Sequence, residues 1–347
     1  MKKYLYIAIA AATFASCSQD EVMEVAEKQA IQFGNTFVGN STRAVDPSYS
    51  SNTIQSFQLF GTVNNVSIYN NVTVENKTAE NSATEAGYKK VWYCPVTQYW
   101  VEGAAYKFIA IIDGDKKDGD KVITSTAVTN GMPTTITYNA DGVTDLLCNT
   151  QTRTGAATNG VVGFTFTHLL SKVYFTFKNE MPSETKYTYK VSNVKIISGL
   201  YKSGTYTIEP AQGVAPWSLG TGLTEANVTD DDLSFGNIVA DDKSTEAVNL
   251  QYNVGKTSQD ARLILPGNQT LKVQYTVEIL YDNNSVKTET KTAEITNANG
   301  TAYKFEANHV YNITGTLKLD LQKPIQFTVT EAPTWDATPT EIPVTVQ

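Results

Sequence analysis

The chain predicts an all-β protein assembled from β-sandwiches, and three observations predict it. Short runs with apolar residues at every second position recur from Ile31 to the C-terminus, separated by clusters of Gly, Asn, Asp and Thr. The composition suits pleated, half-buried surfaces: 19 Tyr, 13 Phe, and only 18% charged residues. Helical periodicity is almost absent. The one helix-like stretch, EVMEVAEKQA at Glu21–Ala30, reads as part of a tether.

The N-terminus reads as an export signal. Lys2 and Lys3 precede an apolar run from Tyr4 to Phe14, which is too short to span a bilayer that needs about 20 apolar residues. Ala15 and Ser16 then lead into Cys17, the order of a bacterial lipobox whose cysteine thiol is acylated, with Phe14 where Leu is usual. Residues 1–17 are therefore expected to be a lipoprotein signal ending at the acylated cysteine, with acyl chains as the membrane anchor. Residues 18–43 are the tether plus one strand-like run, Ile31–Val38, on which Ile31, Phe33 and Phe37 supply the apolar face.

Strand patterns follow in order. Phe57–Phe60 and Val66–Tyr69 are short alternating runs, Trp92-Tyr93 and Tyr99-Trp100 bracket a Pro-containing turn, and Tyr106–Ile111 alternates before stopping at DGDKKDGD. The small, polar, aperiodic stretch NTQTRTGAATNGVV at 149–162 predicts a domain boundary, giving sandwiches at 44–160 and 161–323 and a tail at 324–347. The second half opens with FTFTHLLSKVYFTF, and its long patterned runs are Leu271–Leu280 and Val310–Leu319. After export processing, roughly 300 residues suit two domains at about 150 each.

Chemistry-bearing motifs are sparse. The net charge of −8 and pI near 5.0, with no basic patch, argue against a nucleic-acid partner. His168 and His309 have no partner at metal-ligand spacing and read as structural. No G-x-S-x-G elbow supports a nucleophile, so no catalytic residue is assigned. In Asp113–Asp120 a calcium loop would want an oxygen ligand where Lys117 sits and a Glu where Thr124 sits, so the stretch reads as a solvated hairpin tip. Metal and cofactor are both expected to be none. Cys94 and Cys148 read as small buried residues, with a disulfide as the other possibility. Trp92, Trp100, Trp217 and Trp335 could stack on sugars, although strand tryptophans are more often core. That stacking reading belongs to the second functional possibility, a surface glycan-binding lipoprotein feeding an outer-membrane transporter.

Arg43 is one of only three arginines, and it stands in a small polar linker, NSTRAVDP, directly after the first strand-like run. Exposed segments of this kind are where proteolysis is easiest. A cut between Arg43 and Ala44 would separate Cys17 and the strand Ile31–Val38 from the body, leaving an apolar groove and unpaired backbone groups. The other end of the chain offers a replacement. Ile342, Val344 and Val346 alternate in a segment stiffened by Pro339 and Pro343, as a strand added to a neighbouring subunit would. Head-to-tail contacts that do not close generate a filament.

Several blocks in fixed order carry a resemblance: the lipobox at Cys17, the strand followed by Thr42-Arg43-Ala44, DLLCNT at 145–150, FTFTHLLSKVYF at 164–175, NHVYNITGTL at 308–317 and the Trp335-containing tail. Together they resemble the Bacteroidetes fimbrillins, the FimA/Mfa-like pilins and their accessory subunits, over nearly the whole chain. The resemblance implies two transthyretin-like, Ig-like Greek-key β-sandwich domains in tandem. It also implies export as an outer-membrane lipoprotein, cleavage at Arg43–Ala44 by an arginine-specific or trypsin-like protease, and polymerisation by donor-strand exchange. Ile31–Val38 would be the departing strand and the C-terminal segment the donor. The implied partners are further copies or related fimbrial subunits, with adhesion to a host or bacterial surface ligand as the result. Stalk, tip and anchor roles stay open.

Overall fold

A computed structural model of the chain describes residues 29–34, 37–38, 54–76, 92–113, 123–142, 144–156, 160–179, 187–220, 222, 247–249, 262–282, 284–317, 326–332, 340–342 and 344–346. Cys17, Arg43, Ala44, most of the Asp-rich loop and Trp335 lie outside these residues. Among the described residues every regular element is a strand.

In chain order the first strands are β1 (Phe37–Val38), β2 (Ser56–Val63), β3 (Val66–Asn76), β4 (Trp92–Tyr93), β5 (Ala105–Ile112), β6 (Ile123–Thr129), β7 (Met132–Asn139) and β8 (Leu147–Thr154). Next come β9 (Thr165–His168), β10 (Ser171–Asn179), β11 (Tyr187–Ser198), β12 (Ser203–Thr207), β13 (Trp217–Leu219), β14 (Ala247–Asn249), β15 (Arg262–Ile264) and β16 (Gly267–Gln269). The last are β17 (Leu271–Tyr281), β18 (Asn284–Asn297), β19 (Tyr303–Phe305), β20 (Val310–Leu317), β21 (Gln326–Ala332), β22 (Thr340–Ile342) and β23 (Val344–Val346).

A seven-stranded sheet runs β1-β9-β8-β5-β2-β3-β4, and a four-stranded sheet, β13-β12-β7-β6, covers one of its faces. Farther along the chain, a sheet ordered β14-β10-β20-β21-β22, with β15 also on β10, packs against the sheet β11-β17-β18-β23. A two-stranded ribbon joins β16 to β19. Most pairings are antiparallel; β1 with β9 and β10 with β20 are parallel.

Burial explains the sequence patterns. β17 alternates cleanly because one face lies on the core: Leu271, Val273, Tyr275, Val277 and Ile279 point inward. β5 is apolar at nearly every position because both its faces are covered. Tyr106, Phe108, Ala110 and Ile112 enter one core, while Ile109 and Ile111 enter the core shared with β7.

Two features differ from the sequence reading. The stretch Asn149–Thr154 is not a linker; it is the outer part of β8, paired with β5, and it is polar because that end of the strand is exposed. Pairing also crosses residue 160, since β9 bonds to β8 and β12 bonds to β7.

Candidate strand-exchange site

The segment leading to β1 lies inside the fold between two walls. On one side the Ile31 amide donates to the Gln98 carbonyl at 2.8 Å, and the Trp100 amide donates to the Gln29 carbonyl at 3.0 Å. On the other side the Gly34 amide donates to the Val162 carbonyl at 3.0 Å, and the Val162 amide donates to the Gln32 carbonyl at 2.8 Å. Bonding thus alternates from one neighbour to the other along residues 29–34, as in a central strand. β1 continues along the same edge, with Phe37 opposite Thr165 and Val38 opposite Phe166. Only the backbone of Phe37 is described.

Ile31 and Phe33 share the inward face and are buried, while Gln32 between them is exposed. The Phe33 ring packs edge-on to Phe57, Tyr69 and Phe108 at centroid distances of 6.5, 5.7 and 6.0 Å, and stacks on Phe164 at 6.2 Å. Gly34 is tight, because a Cβ there would come within 2.8 Å of Val161 Cγ1. If residues 29–38 left, the rings around Phe33 would line an open groove, and the backbone groups of Gln98, Trp100 and Val162 would lose their partners. Exposing two such side chains costs about 1.5–3 kcal/mol each before any unpaired backbone is counted.

The wall at 98–100 was not legible from the sequence as part of the groove. Tyr99-Trp100 reads as strand-like, but its pairing with Ala30 is non-local. Burial holds the Tyr69 hydroxyl far above the usual phenol range, helped by the neighbouring Cys94 and Tyr106. The Tyr106 hydroxyl pins the same wall by accepting from the Val101 amide at 2.7 Å and donating to the Tyr99 carbonyl at 3.1 Å.

The tail is seated on its own molecule. β22 pairs with β21, setting Ile342 opposite Val329, and β23 pairs with β18, setting Val344 opposite Asn297 and Val346 opposite Ile295. β22 therefore edges one sheet of the C-terminal layers and β23 edges the other.

The other candidates are structural. His168 is buried and bonds through Nδ1 to the Oδ2 of buried Asp145, which ties the DLLCNT block to the FTFTHLLSKVYF block where β8 meets β9. His309 Nδ1 meets the Ala307 carbonyl at 2.8 Å. No cluster of His, Cys, Asp and Glu among the described residues could hold a metal ion. Cys94 and Cys148 are both free thiols, and burial, then Glu209, pushes Cys148 up to about 12. Trp92 and Trp100 are buried, and half-buried Trp217 donates its indole N–H to the Leu169 carbonyl at 3.0 Å. These three tryptophans build no exposed stacking platform.

No curated protein matches the chain significantly. Among solved structures, a fimbrial protein from Bacteroides vulgatus is similar in fold, with a TM-score of 0.54 at 17% identity over 86% of this chain and 98% of that one. A fimbrial assembly protein from Parabacteroides distasonis aligns with a TM-score of 0.42 at 14% identity, over 90% of this chain and 97% of that one. The fimbrillin-like family matches residues 42–331, and the chain belongs to that family.

Proposed function

We propose that this protein is a non-catalytic structural subunit of cell-surface fimbriae that assembles by strand exchange and supports adhesion. It is exported as an outer-membrane lipoprotein acylated at Cys17, then cut between Arg43 and Ala44 by an arginine-specific or trypsin-like protease. The strand carrying Ile31, Phe33 and Phe37 departs, and the tail strand carrying Ile342, Val344 and Val346 of another subunit takes its place. The division into two sandwiches with a strand at each end belongs to the same reading.

One observation carries it: residues 29–34 are hydrogen-bonded on both sides with Ile31 and Phe33 buried, and they join the rest of the body only through the chain that contains Arg43. A strand so placed is integral to packing yet removable by one cut. The remaining arginines favour a single cut, since Arg153 lies in β8 paired with Tyr106 and buried Arg262 lies in β15. A protease that binds its substrate extended cannot easily take a residue from a bonded strand. Family membership and the fold shared with a fimbrial protein support the subunit role.

The test is limited digestion of protein lacking residues 1–17 with an arginine-specific protease, followed by intact mass and size-exclusion chromatography. A cut confined to Arg43–Ala44, accompanied by high-mass oligomers, is expected. Resistance at Arg43, or a cut chain that stays monomeric, would overturn the proposal.

A further inference from the structure

Away from the first strand, a cleft of about 550 Å³ opens beside the β16–β19 ribbon, a size within the roughly 300–1,000 Å³ of small-molecule sites. Asn268 of β16, Asn297 at the end of β18, Tyr303 and Lys304 of β19, Glu306, and Glu331 near the end of β21 line it. Its walls are held by bonds of their own. Asn297 Oδ1 accepts from the Asn299 and Thr301 amides at 2.9 and 3.1 Å. The Tyr311 hydroxyl accepts from the Glu306 amide at 2.7 Å and donates to Glu331 Oε1 at 2.9 Å. Groups fixed in this way lose little freedom when a ligand arrives. One group in the cleft is unmatched. Tyr303 is 5% exposed, and its hydroxyl has no hydrogen-bond partner among the described residues. Burial, then the charges of Glu331 and Glu306, holds that hydroxyl far above the usual phenol range. The hydroxyl therefore lies in the field of the two carboxylates of the cleft and keeps its proton, a donor with nothing to donate to.

The chemistry of the lining selects the ligand. Lys304 Nζ is bonded to Glu306 Oε1 at 2.7 Å, and His309 Nε2 stands 3.7 Å from both Glu306 Oε2 and Glu331 Oε1. An anion would meet two carboxylates against one ammonium. An ammonium or a metal ion offers Tyr303 no acceptor, and the described residues hold no cluster fit for a metal. A sugar hydroxyl both accepts and donates, which answers the Tyr303 donor and the carboxylate acceptors together. We propose that this cleft binds a neutral sugar of a surface glycan, with one hydroxyl accepting from Tyr303 and another donating to Glu331. Glu331 Oε2 is open to it, since it accepts no hydrogen bond from the described residues. The site rests on the adhesion role proposed above and names its ligand class. It needs neither strand exchange nor an exposed tryptophan.

A glycan array carrying neutral, sialylated and sulfated oligosaccharides, probed with labelled uncut protein lacking residues 1–17, finds the ligand, and titration calorimetry with the best neutral one measures it. At least one neutral glycan should bind. Tyr303→Phe should weaken that binding about five- to tenfold, the worth of one hydrogen bond. Its melting temperature should hold, because the deleted hydroxyl bonds to nothing in the folded chain. Glu331→Gln keeps an oxygen for Tyr311 and should also weaken binding, since a charged acceptor is the stronger one. No neutral glycan bound, binding confined to sialylated or sulfated glycans, or undiminished binding by both variants would overturn the site. So would a clearly lower melting temperature of Tyr303→Phe, which would mean that its hydroxyl is bonded within the fold. The readout is the single uncut subunit. A negative result here therefore leaves the fimbrial role to the digestion test, and monomers after cleavage leave the sugar result intact.

Discussion

Phe33 touches four aromatic rings, and those contacts exist only while its strand is in place. Phe33→Ala should lower the stability of the uncut protein by about 3–5 kcal/mol, read by urea unfolding, because the surrounding rings cannot close the cavity. The same substitution should leave the cut, strand-free chain unchanged. Asp145, just before β8, and His168 in β9 form a buried pair, and removing the imidazole takes away the partner of the buried Asp145 Oδ2. His168→Ala should cost about 2–3 kcal/mol in the same assay. Gly199 has a φ of +89°, and a Cβ there would sit 1.7 Å from the Thr270 carbonyl oxygen. Gly199→Ala must move backbone at the β11–β17 junction, and a melting temperature lower by several degrees is expected.

At the scale of elements, legibility followed exposure. Leu271–Leu280 and the pair Ile31 and Phe33 could be read because one face is core and the other is not, which writes a period of two into the sequence. β18, NSVKTETKTAEITN, was missed because most of its length is exposed on both faces and only its last residues enter the core. The outer end of β8 reads as a linker for the same reason. The groove's second wall was unreadable because Tyr99-Trp100 holds its place through the first strand and Tyr106, not through a pattern of its own. That dependence is testable. Residues 98–100 bond across to residues 29–31, so the Trp100 amide should exchange with deuterium markedly faster once the first strand has gone. The Val191 amide, in β11 with its register partner Val277 in β17, should not change.

Across the whole molecule, the two ends of the chain play matching parts. The N-terminal strand fills a groove in the first layers, and the C-terminal strands edge both sheets of the last layers. Exchange requires the tail to leave β21 and β18, and a tail that enters a second copy makes a head-to-tail contact that need not close. Deleting residues 340–347 should therefore leave the cut chain monomeric by size-exclusion chromatography while the uncut chain still folds. The most direct measurement traps the tail at home. Thr330 and Glu341 are register partners across β21 and β22, a spacing within disulfide reach. The Thr330→Cys, Glu341→Cys double variant, built with Cys94→Ser, is oxidised, cut after Arg43 and sized before and after reduction. Monomers while oxidised and high-mass oligomers once reduced are the expected result. Oligomers that form while the tail is locked, or monomers in both states, would contradict assembly by exchange of this strand.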